Sequence, residues 1–221
     1  MNAPQRNELA WLSKFGWQRA LEQGWDSEDQ SVLQHWAVAL LPLVICRQRG
    51  DNTSATISLG LPAPSIWNRR KLALEVLPGE VQRRGLFPSL EQIAQRNVDL
   101  VEIKAFRVTM RSLNLPIQVY GSFGWQDLTG MDYVRPSSDL DLRVQVPDHA
   151  MAQVAVRELS ALRLPIRVDG ELAFPDGSAI AWREYLQWTQ GEVDRVLVKS
   201  RSSVRLMERE ALVALALSSN P

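Results

Sequence analysis

The stretch from Tyr120 to Val146, YGSFGWQDLTGMDYVRPSSDLDLRVQV, decides the fold. Its last residues, DLDLRVQV, alternate between polar and apolar side chains, the period of a β-strand with one buried face. Leu140, Leu142, Val144 and Val146 line one side, and Asp139 and Asp141 share the other. Two like charges one pleat apart repel, and carboxylates are rarely buried without a partner. The pattern therefore calls for a cation beside them. Just upstream, IQVYGS reads as a strand that ends in a glycine turn at Gly121 and Ser122.

Around this strand the second part of the chain alternates strands and helices. PSLEQIAQRN opens a helix with Ser89 as its N-cap, and the pattern continues with a break through VDLVEIKAFRVTMRSL. HAMAQVAVRELSAL is an amphipathic helix, PIRVDGELAF a strand, SAIAWREYLQWTQ a helix, RVLVKS a short strand and RLMEREALVALALS a closing helix. The earlier residues read differently. ELAWLSKFGWQRAL has helical periodicity and SEDQSVLQHWAVAL starts with a serine-acidic cap signal, whereas LPLVICRQ, ATISLGLP and RKLALEVLP are strand-like runs between turn residues. The expectation is an α+β protein: a small N-terminal α+β domain over residues 1–82, then residues 83–221 as a mixed sheet flanked by helices.

Composition narrows the function classes. A chain of 221 residues buries a sizeable core, and 45% hydrophobic with 23% charged residues is ordinary for a globular protein. Lysine plus arginine equals aspartate plus glutamate at 25 each, so no overall basic field exists to hold nucleic acid. The single cysteine, Cys46, excludes an internal disulfide and a cysteine-based zinc cage, and suits a reducing compartment. The start MNAPQRNELAWL lacks the layout of a signal peptide, and WAVALLPLVIC is too short to span a bilayer and contains Pro42. A soluble cytoplasmic protein with no membrane partner is expected.

Carboxylates one pleat apart, following a Gly-Ser turn, suit a divalent metal. Magnesium prefers hard oxygen ligands and completes its shell with water and substrate phosphate, so Mg2+ is the expected cofactor. Backbone N–H groups at Gly121 and Ser122, with the serine hydroxyl, would hold triphosphate oxygens. A third carboxylate has to come from a neighbouring strand, and IRVDGEL offers Asp169 first and Glu171 as the alternative.

A Gly-Ser turn, an Asp-x-Asp strand and an acid on the next strand together resemble the nucleotidyltransferase superfamily, in which three acids bind metal and catalyse transfer with loss of pyrophosphate. The segment between Ser122 and Asp139, FGWQDLTGMDYVRPSS, is longer than in many members. With DGELAFPDGSAIAWREY and VLVKS downstream, it resembles the phosphoribosyl-dephospho-CoA transferases of malonate decarboxylase, its holo-acyl-carrier-protein synthases, over most of residues 83–221. The resemblance implies a nucleotidyltransferase-like catalytic domain. It implies transfer of the prosthetic group from 2'-(5''-triphosphoribosyl)-3'-dephospho-CoA to a serine of the malonate decarboxylase acyl-carrier protein. It maps the family aspartates to Asp139 and Asp141 and the triphosphate turn to Gly121 and Ser122. Asp169 is the first candidate for the third catalytic and metal-binding acid, with Glu171 second.

Other residues are placed by the same reading. Arg135, Arg183 and Lys199 are candidates to neutralise substrate phosphates, Trp125 is a candidate for the substrate pocket, and Ser137 and Ser138 shape the turn into the strand. Arg69, Arg70, Arg83 and Arg84 form the densest basic cluster, where an acidic carrier would dock. His35 is expected as a packed or surface ring and His149 in a capping or surface role, while Trp11, Trp17, Trp25 and Trp36 are expected in core packing. Two competing readings are an enzyme that transfers AMP from ATP and a non-catalytic nucleotide-binding module. The intact pair Asp139 and Asp141 weighs against the second.

Overall fold

The computed structural model describes residues 3–48, 56–96 and 103–208. The chain divides into two compact units, one of residues 1–87 and 125–133, the other of residues 88–124 and 134–221.

In the first unit, strands β1 (Leu9–Leu12), β2 (Leu43–Ile45), β3 (Ile57–Pro62), β4 (Lys71–Val76) and β5 (Val81–Gly85) form an antiparallel sheet in the order β4-β3-β2-β1-β5. Helices α1 (Lys14–Leu21) and α2 (Ser27–Ala39) pack Trp17, Val32, Leu33 and Trp36 onto it. The run ELAWLSKFGWQRAL, expected as one helix, is split. Its first residues are β1, and Ser13 then caps α1 by accepting from the Gly16 N–H at 3.1 Å. The cap of α2 is Asp26, which accepts from the Asp29 N–H at 2.8 Å, one residue before the serine that signalled it. His35 packs between Trp36 and Trp67, with ring centroids 5.9 and 5.1 Å away.

One expectation fails here. Trp125 is buried and lies edge-on to Phe87 and stacked over Tyr133, whose hydroxyl donates to the Pro62 carbonyl at 2.8 Å. It is core of this unit rather than the wall of a substrate pocket. In the basic cluster Arg69 and Arg83 are exposed, and three of its arginines are engaged within this unit. Arg70 is held by Asp26, Glu28 and Asp29 at 2.6–2.7 Å, Arg84 pairs with Glu8 at 3.0 Å, and the Arg83 guanidinium lies 3.4 Å over the Trp11 ring.

The second unit is built on a six-stranded mixed sheet, ordered β11-β10-β9-β8-β7-β6. Its strands are β6 (Ile117–Val119), β7 (Leu140–Gln145), β8 (Val168–Ala173), β9 (Ala179–Ala181), β10 (Arg195–Lys199) and β11 (Val204–Glu208). Helices α3 (Leu90–Arg96), α4 (Lys104–Ser112), α6 (His149–Ala161) and α7 (Trp182–Gln190) belong to it, and α5 (Gly121–Thr129) runs from it into the first unit. Ser89 caps α3 as expected, its hydroxyl accepting from the Gln92 N–H while Gln92 reaches back to the Ser89 N–H. Among the described residues only β7 and β8 pair in parallel, and α6 is the crossover that parallel pairing requires.

One face of this sheet is apolar. Val119, Leu142 and Val144 from β6 and β7, Leu172 from β8, Ile180 from β9 and Val198 from β10 join residues from α3, α4, α6 and α7 in one core. The other face carries Gln118, Asp141, Arg143, Asp169, Glu171 and Lys199, by the alternation of the strands. The fold is the α+β architecture expected, with a small leading α+β unit and a mixed sheet flanked by helices.

Three elements differ from the sequence reading. The Gly-Ser turn and part of the insert form α5, so Gly121 and Ser122 open a helix. Ala179–Ala181 is a strand paired with β8 and β10, and the helix begins only at Trp182. The expected closing helix begins instead as β11, paired with β10 along its length, and the rest of RLMEREALVALALS lies outside the described residues.

His149 is the first residue of α6, but Asp148 is its cap, accepting from the Met151 N–H at 2.8 Å. The His149 ring instead joins Phe174, Tyr185 and Trp188, with Nδ1 3.0 Å from the Tyr185 hydroxyl. Burial lowers its pKa below the usual histidine range, against the smaller opposing pull of Asp148 and Asp176. The unfolded chain therefore takes up the proton first on acidification. Stability from this ring is complete above the unfolded value of about 6.5 and is lost as pH falls from there toward the lower folded value. His149→Phe keeps an aromatic ring that cannot be protonated. Thermal melts at about pH 7.5 and about pH 5.5 should show a larger fall for the parent than for this variant, and equal falls would remove His149 from the acid response.

Candidate active site

The pairing of β7 with β8 sets Asp141 directly opposite Asp169, and one row further on Arg143 opposite Glu171. Asp139 precedes β7 on the same face, and Ser138 and Arg135 close the turn that leads into it through reciprocal bonds of 2.9 and 3.0 Å. Ser138 thus has the shaping role expected of it. Arg135 itself is exposed.

Asp139, Asp141 and Asp169 are brought together by the sheet. The cation their charges call for is Arg167, which the sequence reading did not single out. Its Nη1 lies 3.4 Å from Asp139 Oδ2 and its Nη2 3.5 Å from Asp169 Oδ2. Arg167 and Asp169 stand two residues apart, so the spacing of a strand was enough to place them on one face. The Arg167 carbonyl accepts from the Leu140 N–H at 2.8 Å, which fixes its backbone beside the acids.

Asp141 is set apart by its burial. Its pKa is pushed up to about 6, first by burial, then by the charges of Asp169 and Asp139, with Arg167 opposing. Its carboxylate lies against the start of α5. Gly121 has φ of +61°, and a Cβ there would fall 1.8 Å from Asp141 Oδ2. The Tyr120 N–H also donates to the Asp141 carbonyl at 3.0 Å. Glycine at 121 is therefore required by the carboxylate beside it as well as by its backbone angle. Ser122 follows in the first turn of this helix.

Glu171 has a different setting. It is 2% exposed, with Arg143 Nε at 3.6 Å and Lys199 Nζ at 3.8 Å. It is a buried acid matched by two cations, whereas Asp169 faces Asp141. Lys199 is thus on the polar face but turned toward Glu171. Arg183 lies over the Trp182 ring at 4.3 Å and donates to the Val168 carbonyl at 2.8 Å, next to Asp169 in the chain. Among the described residues no three His, Cys, Asp or Glu side chains form a ready-made metal cage. The carboxylates present are hard oxygen donors with excess negative charge. They fit an ion that draws the rest of its shell from water and phosphate.

Comparison with known proteins gives the family. The family of the phosphoribosyl-dephospho-CoA transferase MdcG C-terminal domain matches residues 89–210, and that of the MdcG N-terminal domain matches residues 5–86. The chain belongs to the phosphoribosyl-dephospho-CoA transferase family. A phosphoribosyl-dephospho-CoA transferase of Xanthomonas axonopodis pv. citri is 34% identical over 94% of this chain and 95% of its own. One from Bradyrhizobium diazoefficiens is 35% identical over 98% of this chain and 95% of its own. No solved structure matches. The protein is thus a transferase by family, and among the described residues no helix is long and apolar enough to cross a membrane.

Gly121→Ala tests the close approach of α5 to the acids. The added methyl must displace the Asp141 carboxylate, so activity should fall to background and the variant should melt at a lower temperature. Normal turnover with an unchanged melt would show that the Asp141 carboxylate is free to move aside.

Proposed function

We propose that the protein transfers the phosphoribosyl-dephospho-CoA group from its triphosphoribosyl precursor to a serine hydroxyl of the malonate decarboxylase acyl-carrier protein, and that it does so at the carboxylates of the second sheet. The observation that carries this reading is the convergence of Asp139, Asp141 and Asp169 beside the first turn of α5. The serine oxygen forms a bond to the phosphorus next to the ribose, the bond from that phosphorus to the pyrophosphate oxygen breaks, and a carboxylate of the trio takes the serine proton. First-turn N–H groups at Gly121 and Ser122 receive phosphate oxygens, as the positive end of a helix does.

Asp139, Asp141 and Asp169 would hold magnesium, which when bound neutralises charge on the phosphates. Asp169 is preferred to Glu171 as the third acid, because Glu171 is already matched by Arg143 and Lys199. Lys199, on the polar face, and Arg183, held at the Val168 carbonyl next to Asp169 in the chain, are candidates to supply positive charge to the phosphates. Arg135, exposed in the turn before Asp139, is a third candidate for the phosphates. The direct test incubates the purified protein with Mg2+, apo-carrier and either the triphosphoribosyl precursor or ATP. Intact-protein mass should show the carrier gaining phosphoribosyl-dephospho-CoA, and a gain of AMP would establish the competing adenylylating reading.

Asp141→Asn should abolish transfer while the melting temperature holds or rises, because removing one of three crowded like charges relieves repulsion. Ser122→Ala should cost less, on the order of 1.5–3 kcal/mol for a hydrogen bond to a charged acceptor. Equal losses in the two variants would remove the ranking of metal ligand over phosphate donor.

Glu171→Gln probes the buried acid separately. It leaves Arg143 and Lys199 without their counter-charge, so stability should fall. A loss of turnover with no loss of stability would instead make Glu171 a direct participant.

A further inference from the structure

We infer that Arg167 is the resident counter-ion of the three carboxylates, displaced by the metal on loading and then pairing with a phosphate of the donor. This rests on the carboxylate reading above and adds a residue to it. The fork of the guanidinium is divided between two acids, one nitrogen toward Asp139 at 3.4 Å and the other toward Asp169 at 3.5 Å. A structural arginine bridge is short, buried and bidentate to one carboxylate. Here the contacts are long and the side chain is 61% exposed, so the attraction is screened and easily broken.

The backbone, in contrast, is fixed by the bond from the Leu140 N–H. Arg167 therefore pivots about a rigid base at the edge of the acids. In the free protein it offsets the repulsion among Asp139, Asp141 and Asp169. When a divalent cation takes the carboxylates, the same positive charge is repelled from them. The nearest gain then open to it is a phosphate oxygen of the donor, a partner whose geometry a guanidinium matches.

The test uses Mn2+ alone as the probe, titrated calorimetrically into the full chain without substrate. Arg167→Gln removes the competing cation, so Mn2+ should bind roughly two- to tenfold more tightly, the range expected for losing exposed ion pairs. Arg167→Lys keeps the charge and should bind Mn2+ as the parent does. In both variants the KM for the triphosphoribosyl donor should rise while that for the carrier stays unchanged. Arg163→Gln controls for loss of a surface charge, since Arg163 donates to the Ser160 and Leu162 carbonyls.

Unchanged Mn2+ binding and donor KM in Arg167→Gln would overturn the inference, and so would weaker Mn2+ binding. A gain in Arg163→Gln equal to that in Arg167→Gln would overturn it as well. Asp141→Asn run in parallel separates the two readings. If it loses Mn2+ binding while Arg167→Gln changes nothing, the role of Arg167 fails alone. If it binds Mn2+ as the parent does, the metal reading fails and takes the Arg167 inference with it.

Discussion

The parallel register of β7 with β8 is the constraint on which the site depends. Leu140 faces Val168 and Val144 faces Leu172 on the core side, so Asp141 has no choice but to face Asp169 on the other. A slip of one residue would turn every apolar side chain of β7 out and drive Asp141 and Arg143 into the core. Burying a leucine or valine side chain is worth roughly 1.5–3 kcal/mol. Several such residues in adjacent rows outweigh the repulsion between carboxylates that the same register creates. The apolar face thus dictates the geometry of the charged one.

The charged face is graded along the strands. The first row sets acid against acid, Asp141 beside Asp169, and the exposed Arg167, just before β8, compensates it. The next row sets Arg143 against Glu171, with Lys199 reaching in from β10. Two acids separated by a single residue, Asp169 and Glu171, therefore differ in kind. One sits in a surplus of negative charge and attracts a cation, and the other is already matched.

That difference marks the limit of what the sequence made legible. The alternation in DLDLRVQV was enough to find the strand, its buried face and the need for a cation. The spacing in IRVDGEL was enough to place Asp169 and Glu171 on one face, but not to choose between them. The choice lies with Arg143 and Lys199, which come from other strands. Long-range pairing also explains the misread elements. Ala179–Ala181 has a helix-like composition and becomes a strand because β8 and β10 hold it on both sides. Val204–Glu208 is taken up as an edge strand by β10. The segment GSFGWQDLT reads as turn and insert because two glycines dilute its helix propensity, and a buried Trp125 holds it within a core that local pattern does not report.

Gly121 is where these constraints meet. A helix N-terminus favours anions, and the Asp141 carboxylate already lies against the first residue of α5, close enough that no Cβ fits between them. Anything polyanionic that approaches these first-turn N–H groups approaches Asp141 as well. The helix end attracts it and the carboxylates repel it. Burial and two neighbouring acids have already raised the pKa of Asp141 to about 6, so the site is short of positive charge even with Arg167 in place. On the proposed reading further cations arrive with the donor, and the divided, exposed grip of Arg167 leaves room for them to do so.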